Sequence, residues 1–297
     1  MPKVSICVPA YGNPSGIARL LSSVKEQTFT DYEVVLTDDS PDDSVKAAAE
    51  NSGVKNLHYY KNASRLGATG NWNEAVRKSG GAYIKMMHHD DWFSTPESLE
   101  RFVGLLDRAP EAMLAFSGTW QVSLTKDGEG ARFARAITDK QLALLQKDWR
   151  NLYLGNYIGA PSATIYRRNS REFEPKLTWV MDTEYYMGLL QENSHFSHTT
   201  DPLVCIGVSD SQLTESCRTD GDLNVFEYGY LMEEFGLSGQ KEYRERLIGV
   251  ALKYKQPFSA VKQYGIPKEE FSRAAGEKRR ADFKFLLGVA KKKLLKK

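Results

Sequence analysis

The chain has 297 residues, of which 41% are hydrophobic and 26% charged, and its formal net charge is +2. This composition is sufficient for a core, and the near-neutral charge is not that of a generally basic, nucleic-acid-binding protein. No run of about 18 apolar residues is present, so we expect nothing to span a membrane. Cys7, Cys205 and Cys217 lack metal-ligand spacing, and no signal peptide is visible. We therefore expect free thiols and a cytoplasmic protein.

Strands and helices are expected to alternate through the first hundred residues. Apolar runs predict strands over 4–11, 32–37, 56–60 and 82–87. Helices are expected between them, beginning at Asn13, at Asp43 and after the loop at 65–73. This alternation is typical of a parallel sheet covered by helices, and such sheets bind ligands beyond the carboxyl ends of their strands. Polar clusters follow three of the predicted strands: Pro9-Ala10-Tyr11, Asp38-Asp39 and Asp90-Asp91.

The run Met86–Trp92 is the most informative stretch of the chain. Neighbouring acids at a strand end point in different directions, so one can hold a divalent metal while the other contacts a hydroxyl group. An Asp-Asp pair after a strand can also be an ordinary surface turn. His88 and His89 can be metal ligands, since imidazole suits several transition ions, or they can support the site structurally.

The second third of the chain is less regular. We expect a helix over 97–106, strand structure over 112–122 interrupted at Gly118, a turn-rich loop over 126–130, a helix over 139–149 and a strand over 163–166. Asp182 precedes apolar residues at core-like spacing, as at the start of a helix, where an acid is stabilised by the helix dipole.

Four segments, in this order and spacing, resemble the family-2 glycosyltransferases of GT-A fold, which transfer sugars from nucleotide-sugar donors. They are VSICVPAYGN, QTFTDYEVVLTDDSPDD, RLGATGNWNEAV and HHDDW. The resemblance implies an α/β fold with a Rossmann-like, mostly parallel sheet flanked by helices, followed by a C-terminal helical extension. It divides the chain into a nucleotide-sugar-binding half (1–95), an acceptor-binding half of the same domain (96–215) and the extension (216–297).

The resemblance also implies the residues that bind the donor. Asp39, with Asp38 beside it, would contact the base of the nucleotide. Pro9, Ala10 and Tyr11 would frame the nucleotide. Arg65 is a further candidate for the diphosphate, although it can equally be a solvated loop arginine.

By the same resemblance, Asp90 would contact the ribose and Asp91 would hold Mn²⁺ or Mg²⁺ on the diphosphate. The metal offsets the negative charge of the departing nucleotide as a Lewis acid. The segment Thr178–Met187 resembles the place where the family keeps its general base, which deprotonates the acceptor hydroxyl in an inverting transfer. Asp182 fits that role and Glu184 is the reserve candidate, but Asp182 can also be a helix cap.

One loop departs from the family pattern. Many relatives have a histidine after the base helix, and residues 207–214 of this chain contain none. Ser209 or Asp210 could stand in near the diphosphate, which leaves the full ligand set of the metal open.

The last 22 residues form a basic segment. Residues 276–297 contain nine Lys or Arg and two acids, a formal charge of +7. Its apolar residues fall on one helical face, which suits either an anionic membrane surface or a helix docked on its own domain.

The predicted function is hexosyl transfer from a nucleotide-sugar, with uridine as the first choice of base, to a glycan or lipid-linked acceptor in surface polysaccharide or glycoconjugate synthesis. The predicted partners are this donor, this acceptor and the inner face of a membrane, and no nucleic acid. One alternative is a GT-A module that binds sugar or nucleotide without turnover. The other is a sugar nucleotidyltransferase, which would need a basic loop where the chain has Tyr11-Gly12-Asn13-Pro14.

Overall fold

The structure is a computed structural model that describes residues 1–125, 128–208 and 217–294, with side chains described as far as Ala281. The chain divides into two compact units, Met1–Gln212 and Leu213–Lys297. Within the described ranges, no helix combines the length and the apolar character that crossing a membrane requires.

The first half of the first unit alternates strands with helices, as predicted. Its strands are β1 (Val4–Ala10), β2 (Tyr32–Asp38), β3 (Leu57–Lys61) and β4 (Tyr83–Met86). Its helices are α1 (Pro14–Lys25), α2 (Ser44–Asn51) and α3 (Gly67–Lys78). β1 lies between β2 and β4, β3 pairs with β2, and all these pairs are parallel. Their carboxyl ends therefore meet at one edge of the sheet.

The second half of this unit extends the same sheet with mixed strand directions. Its elements are β5 (Trp92–Phe93), α4 (Ser98–Asp107), β6 (Leu114–Thr125), β7 (Gly128–Arg135), α5 (Asp139–Lys147), β8 (Thr164–Arg167), α6 (Met181–Glu192) and β9 (Phe196–Val208). The strand order is β3-β2-β1-β4-β8-β6-β9-β5, with β7 paired to β6. β9 runs parallel to β6, whereas β8, β7 and β5 run antiparallel to their neighbours.

Burial explains why the N-terminal elements form where they do. Every residue of β1 is buried, as expected of a parallel strand covered on both faces. The apolar face of α1, with Ile17 and Leu20, packs into the same core. The predicted start of α1 is also present: Asn13 has a left-handed backbone (φ 57°), its side chain accepts a hydrogen bond from the Gly16 N–H at 3.0 Å, and Pro14 occupies the first turn.

Strand β7 was not anticipated. The sequence pattern predicts a turn-rich loop over 126–130, whereas the structure has a strand from Gly128 to Arg135. All eight residues of β7 are exposed, so the strand carries no apolar alternation that a sequence pattern could reveal. Pairing with β6 holds it in place.

The second unit is helical over its described residues. Its helices are α7 (Gly221–Glu234), α8 (Lys241–Lys253) and α9 (Lys268–Leu294). The Asp220 side chain caps α7 by accepting from the Leu223 N–H at 2.9 Å, and Arg244 on α8 pairs with Glu270 on α9 at 2.7 Å. Residues 276–294 of the basic segment belong to α9, and the apolar face predicted for the segment lies outside the described side chains.

Candidate functional site

Three potential metal ligands lie together in the loop between β4 and β5. His88, Asp90 and Asp91 each offer one ligand atom, and these atoms lie within 4.8 Å of one another. Asp91 is 2% exposed, and its Oδ1 accepts a hydrogen bond from the Gly207 N–H at 3.1 Å. Among the described residues, neither Oδ2 of Asp91 nor Nε2 of His88 has a hydrogen-bond partner. Two buried, unsatisfied atoms with lone pairs fit a cation, because such atoms otherwise destabilise the fold.

Burial controls the charge of these ligands. It raises the pKa of Asp91 well above its usual range, and it lowers the pKa of His88 to about 4. The imidazole is therefore neutral at physiological pH, which is the form that ligates metals. The donor set of one imidazole and two carboxylates suits Mn²⁺ or another transition ion at least as well as Mg²⁺.

A buried lysine lies beneath this cluster, and the sequence analysis missed it. Lys85 on β4 is completely buried, with its ammonium 4.4 Å from the centre of the Phe102 ring. It donates to the main-chain carbonyl oxygens of Ser162 and Met86. Burial lowers its pKa, and the nearby Asp91 carboxylate opposes that shift. The signal that could have revealed a buried lysine is its position within a predicted apolar strand.

Two glycines let neighbouring elements approach the loop between β4 and β5 closely. A Cβ added at Gly207 on β9 would lie 2.5 Å from the carbonyl oxygen of Asp90. A Cβ added at Gly16 in α1 would lie 2.5 Å from the carbonyl oxygen of His89. Both contacts are too short for any side chain, so the loop is held between β9 and the first turn of α1.

Asp38 is a buried, fully engaged carboxylate at the end of β2. It accepts hydrogen bonds from the Tyr59 hydroxyl at 2.7 Å, from Lys61 Nζ at 3.1 Å and from the Ser40 side chain. Burial acts to raise its pKa, but these hydrogen bonds outweigh it and the pKa is lowered. Asp38 is therefore ionised and fixed at neutral pH.

Asp39 points to the start of α3. Its carboxylate accepts from Asn62 Nδ2 at 2.7 Å and from the main-chain N–H groups of Leu66 at 3.0 Å and Gly67 at 2.9 Å. It thus satisfies donors at the N-terminus of that helix. Asp39 is 8% exposed, so little of its carboxylate is accessible.

The accessible side chains of the predicted donor site are aromatic and basic. The Arg65 guanidinium stacks 4.5 Å from the centre of the Tyr11 ring, and Tyr11 is 46% exposed. Pro9 and Ala10 are buried in β1, and the Ala10 carbonyl accepts from the Asp39 N–H at 3.0 Å. The stacked pair is well suited to a nucleotide, because an aromatic ring takes a base and a guanidinium takes phosphate.

Asp182 lies in the first turn of α6. Its Oδ2 accepts from Asn156 Nδ2 at 2.9 Å, and its Oδ1 accepts from the Thr183 N–H at 2.6 Å. Burial raises the pKa of Asp182 to about 6, opposed by the Thr183 hydrogen bonds and by the charge of Arg135. Such a pKa suits a general base near neutral pH.

Glu184 has a different environment. It is 3% exposed and forms an ion pair with Arg171. The Arg171 side chain crosses Gly188, where any Cβ would overlap the guanidinium. This arrangement locks the carboxylate in place inside the fold.

Two further contacts bear on the site and were not predicted. The Thr69 hydroxyl of α3 donates to the Leu177 carbonyl at 2.9 Å, which links α3 to the segment that precedes α6. Asn156 orients Asp182, as described above, and comes from a loop 26 residues earlier. The predicted substitutes for the family's loop histidine, Ser209 and Asp210, lie outside the described residues.

Sequence comparison matches residues 5–174 to the model of glycosyl transferase family 2. An uncharacterized protein of Mycobacterium tuberculosis is 27% identical over 64% of this chain and 62% of its own length. The GalNAc(5)-diNAcBac-PP-undecaprenol beta-1,3-glucosyltransferase of Campylobacter jejuni is 27% identical over 31% of this chain and 30% of its own length. The chain thus spans less than two thirds of the length of these curated relatives.

Solved structures share the fold. S. aureus TarS 1–349, in complex with UDP-GlcNAc, has a TM-score of 0.64 at 15% identity, over 94% of this chain and 92% of that one. The mannosyltransferase PcManGT of Pyrobaculum calidifontis, in complex with GDP-Man and Mn²⁺, has a TM-score of 0.56 at 15% identity, over 93% and 84%. The expected GT-A fold is confirmed. Since the family model covers more than half of the sequence, the chain belongs to glycosyl transferase family 2.

Proposed function

We propose that the chain is a metal-dependent, inverting glycosyltransferase. It would move a hexosyl group from a UDP-linked donor to a glycan or lipid-linked acceptor in surface polysaccharide or glycoconjugate synthesis. Family membership supports sugar transfer. The UDP-GlcNAc bound by the TarS structure supports the choice of donor, and the undecaprenol-linked name of the Campylobacter relative supports a lipid-linked acceptor.

The observation that carries the metal dependence is the cluster of His88, Asp90 and Asp91, in which the buried Asp91 Oδ2 has no hydrogen-bond partner among the described residues and lies 3.9 Å from His88 Nδ1. Asp91 would hold the ion, and Asp90 would contact the ribose or share the ion. A bound divalent cation supplies Lewis-acid stabilisation of the charge on the departing nucleotide. Gly207 and Gly16 would help to position these ligands, because neither residue has a side chain and β9 and α1 can therefore pack closely against the loop.

In the transfer, Asp182 acts as the general base. The acceptor hydroxyl oxygen attacks the anomeric carbon of the donor sugar while its proton passes to an oxygen of Asp182. The bond between that carbon and the diphosphate breaks, and the nucleoside diphosphate leaves with the electron pair. Asn156 and the Thr183 N–H orient the carboxylate, and its pKa of about 6 leaves it largely ionised at neutral pH.

The donor nucleotide would lie at the carboxyl ends of β1 and β2. The Tyr11–Arg65 stack would receive the base or the diphosphate. Asp39, which follows β2 and accepts from the N–H groups at the start of α3, would contact the base, and Asp38 would fix the neighbouring main chain by accepting from the Ser40 N–H. Pro9 and Ala10, which are buried in β1, would line the base of the nucleotide site.

Asp91→Asn tests the metal assignment. We expect the variant to lose calorimetric Mn²⁺ binding and metal-dependent release of UDP, because an amide is a poor ligand for a hard cation. Asp107→Asn is the matched control, since Asp107 pairs with Lys3 on the surface at 2.7 Å. Strong transfer by Asp91→Asn in excess EDTA would contradict the proposal.

A thermal-shift screen of nucleotide-sugars would identify the donor, since ligands raise the apparent stability of the native state.

We further propose that the basic segment 276–297 attaches the protein to the cytoplasmic face of a membrane. Its formal charge is +7, and each Lys or Arg near an anionic surface contributes about 1 kcal/mol. In sedimentation assays, the full chain should bind anionic vesicles, and a chain ending at Ala275 should lose most of this binding. High salt should weaken the binding of the full chain, because it screens the charges. Equal binding by both proteins would remove the segment from the attachment.

A further inference from the structure

Strand β7 is an exposed arm beside the candidate base. It pairs with β6 along one edge, and no described strand pairs with its other edge. A free edge presents unpaired N–H and C=O groups that can bond the hydroxyls of a ligand. Its eight residues, Gly128–Arg135, are all exposed, and the Phe133 ring is 66% exposed. An exposed aromatic ring offers an apolar face on which a sugar ring can stack.

The arm carries two arginines without an acidic partner. Within the described residues, neither Arg132 nor Arg135 forms an ion pair, whereas carboxylates pair with several other arginines of the chain: Arg77, Arg101, Arg150, Arg171 and Arg244. Arg132 stacks 4.7 Å from the centre of the Trp120 ring. Stacking orients a guanidinium while its N–H fork stays open, as in sites that bind carboxylates.

Arg135 links the arm to Asp182. Its Nη2 donates to the main-chain oxygen of Asn156 at 3.3 Å, and the Asn156 side chain donates to Asp182 at 2.9 Å. Phe133 and Arg135 are two residues apart on a strand, so they share one face. That face holds an aromatic ring and an arginine that forms no ion pair among the described residues, and a short chain of contacts joins it to the candidate base.

We propose that the β7 arm binds a carboxylated glycan acceptor. Phe133 stacks on a sugar ring, Arg135 forms a bidentate pair with a uronate carboxylate, and the hydroxyl to be glycosylated reaches Asp182. This inference rests on the proposed function, and it assigns the acceptor class that the proposed function leaves open.

The chemistry of the arm favours this occupant over two others. A polyol-phosphate chain supplies the charge but no ring for Phe133, and a neutral glycan leaves Arg135 without a counter-ion. A carboxylated glycan matches both the Phe133 ring and the charge of Arg135.

The test compares two probes that differ only in charge. One is an oligosaccharide of alternating uronic acid and hexosamine, and the other is its carboxyl-reduced form. Calorimetry with UDP and Mn²⁺ present should show that Arg135→Gln weakens binding of the carboxylated probe about tenfold to a hundredfold, as expected for one charge-assisted hydrogen bond. The reduced probe should bind the variant and the wild type equally. Phe133→Ala should weaken both probes.

Arg77→Gln is the matched control, because Arg77 is exposed and already paired with Glu74 and Glu172. It should bind both probes as the wild type does. Unchanged UDP binding by each variant shows that the fold and the donor site are intact. Equal wild-type affinity for both probes, tighter binding of a polyol-phosphate chain, or a concentration-dependent dimer lost in Arg135→Gln would overturn the inference. Failure to bind or turn over any nucleotide-sugar would instead overturn the proposed function.

Discussion

A methyl group at position 207 would push into the loop that carries Asp90 and Asp91. The Cβ of Gly207→Ala would lie 2.5 Å from the Asp90 carbonyl oxygen, about 0.9 Å inside the 3.4 Å at which ordinary contact begins. It would also lie 2.8 Å from Leu124 Cδ1, so the strand cannot simply shift the other way. Metal–ligand distances are held within about 0.2 Å in good sites. The displacement is several times that tolerance.

We therefore expect Gly207→Ala to fold, with a loss of about 1–3 kcal/mol from overpacking, and to bind Mn²⁺ at least tenfold more weakly. Calorimetry with MnCl₂ and thermal unfolding measure the two effects separately. The control is Gly249→Ala, at a helical position where an added Cβ meets no atom within 4 Å. Wild-type Mn²⁺ affinity in folded Gly207→Ala would refute the assignment of this loop as the metal site.

The other predictions concern the base, the buried ion pair and the imidazole. Asp182→Asn should lower kcat by about 10²–10⁴-fold and leave UDP affinity unchanged, as kinetics and calorimetry can show. Because a base must be deprotonated to act, wild-type kcat should fall as the pH drops through about 6 and level off above it; a flat profile through that range would exclude Asp182. Glu184→Gln should lower the free energy of unfolding by about 1.5–3 kcal/mol in urea titrations while transfer is retained, since it breaks the pair with Arg171. His88→Ala should weaken Mn²⁺ binding more than Mg²⁺ binding, because imidazole suits transition ions; equal losses in calorimetry would place His88 outside the coordination shell.

The alternating first half of the chain is predictable because its signals are local. Buried runs such as Val4–Ala10 and the Asn13–Pro14 start of α1 are encoded within a few neighbouring residues. β7 is not predictable in this way, since an exposed strand has no apolar period and is fixed by pairing with β6. The parallel pairing of β6 with β9 is equally hidden, because it joins segments about 80 residues apart.

The residues of the candidate site also differ in whether local sequence signals predict them. Asp90 and Asp91 follow directly from a strand end, so local pattern and the family resemblance both lead to them. The neighbours of Asp182 do not: Asn156 and Arg135 come from a loop and an exposed strand that only tertiary structure brings close. Lys85 is partly predictable: its position in an apolar strand is visible in the sequence, but its proximity to Asp91 is not.

Because Asp91 is buried, binding of the proposed metal at this residue would be coupled to folding. Asp38 is also buried, but Lys61 and Tyr59 neutralise and bond it, whereas Asp91 Oδ2 has no hydrogen-bond partner among the described residues. Burial raises the pKa of Asp91 in the folded state, so folding favours the protonated carboxyl and, without a cation, stability declines as the pH rises above the ordinary aspartate range. A cation that binds only the native protein reverses this loss, by about 2.7 kcal/mol at a hundred times its Kd. Mn²⁺ should therefore raise the Tm of the wild type at neutral pH and leave that of Asp91→Asn unchanged; an equal rise in both would place the ion elsewhere.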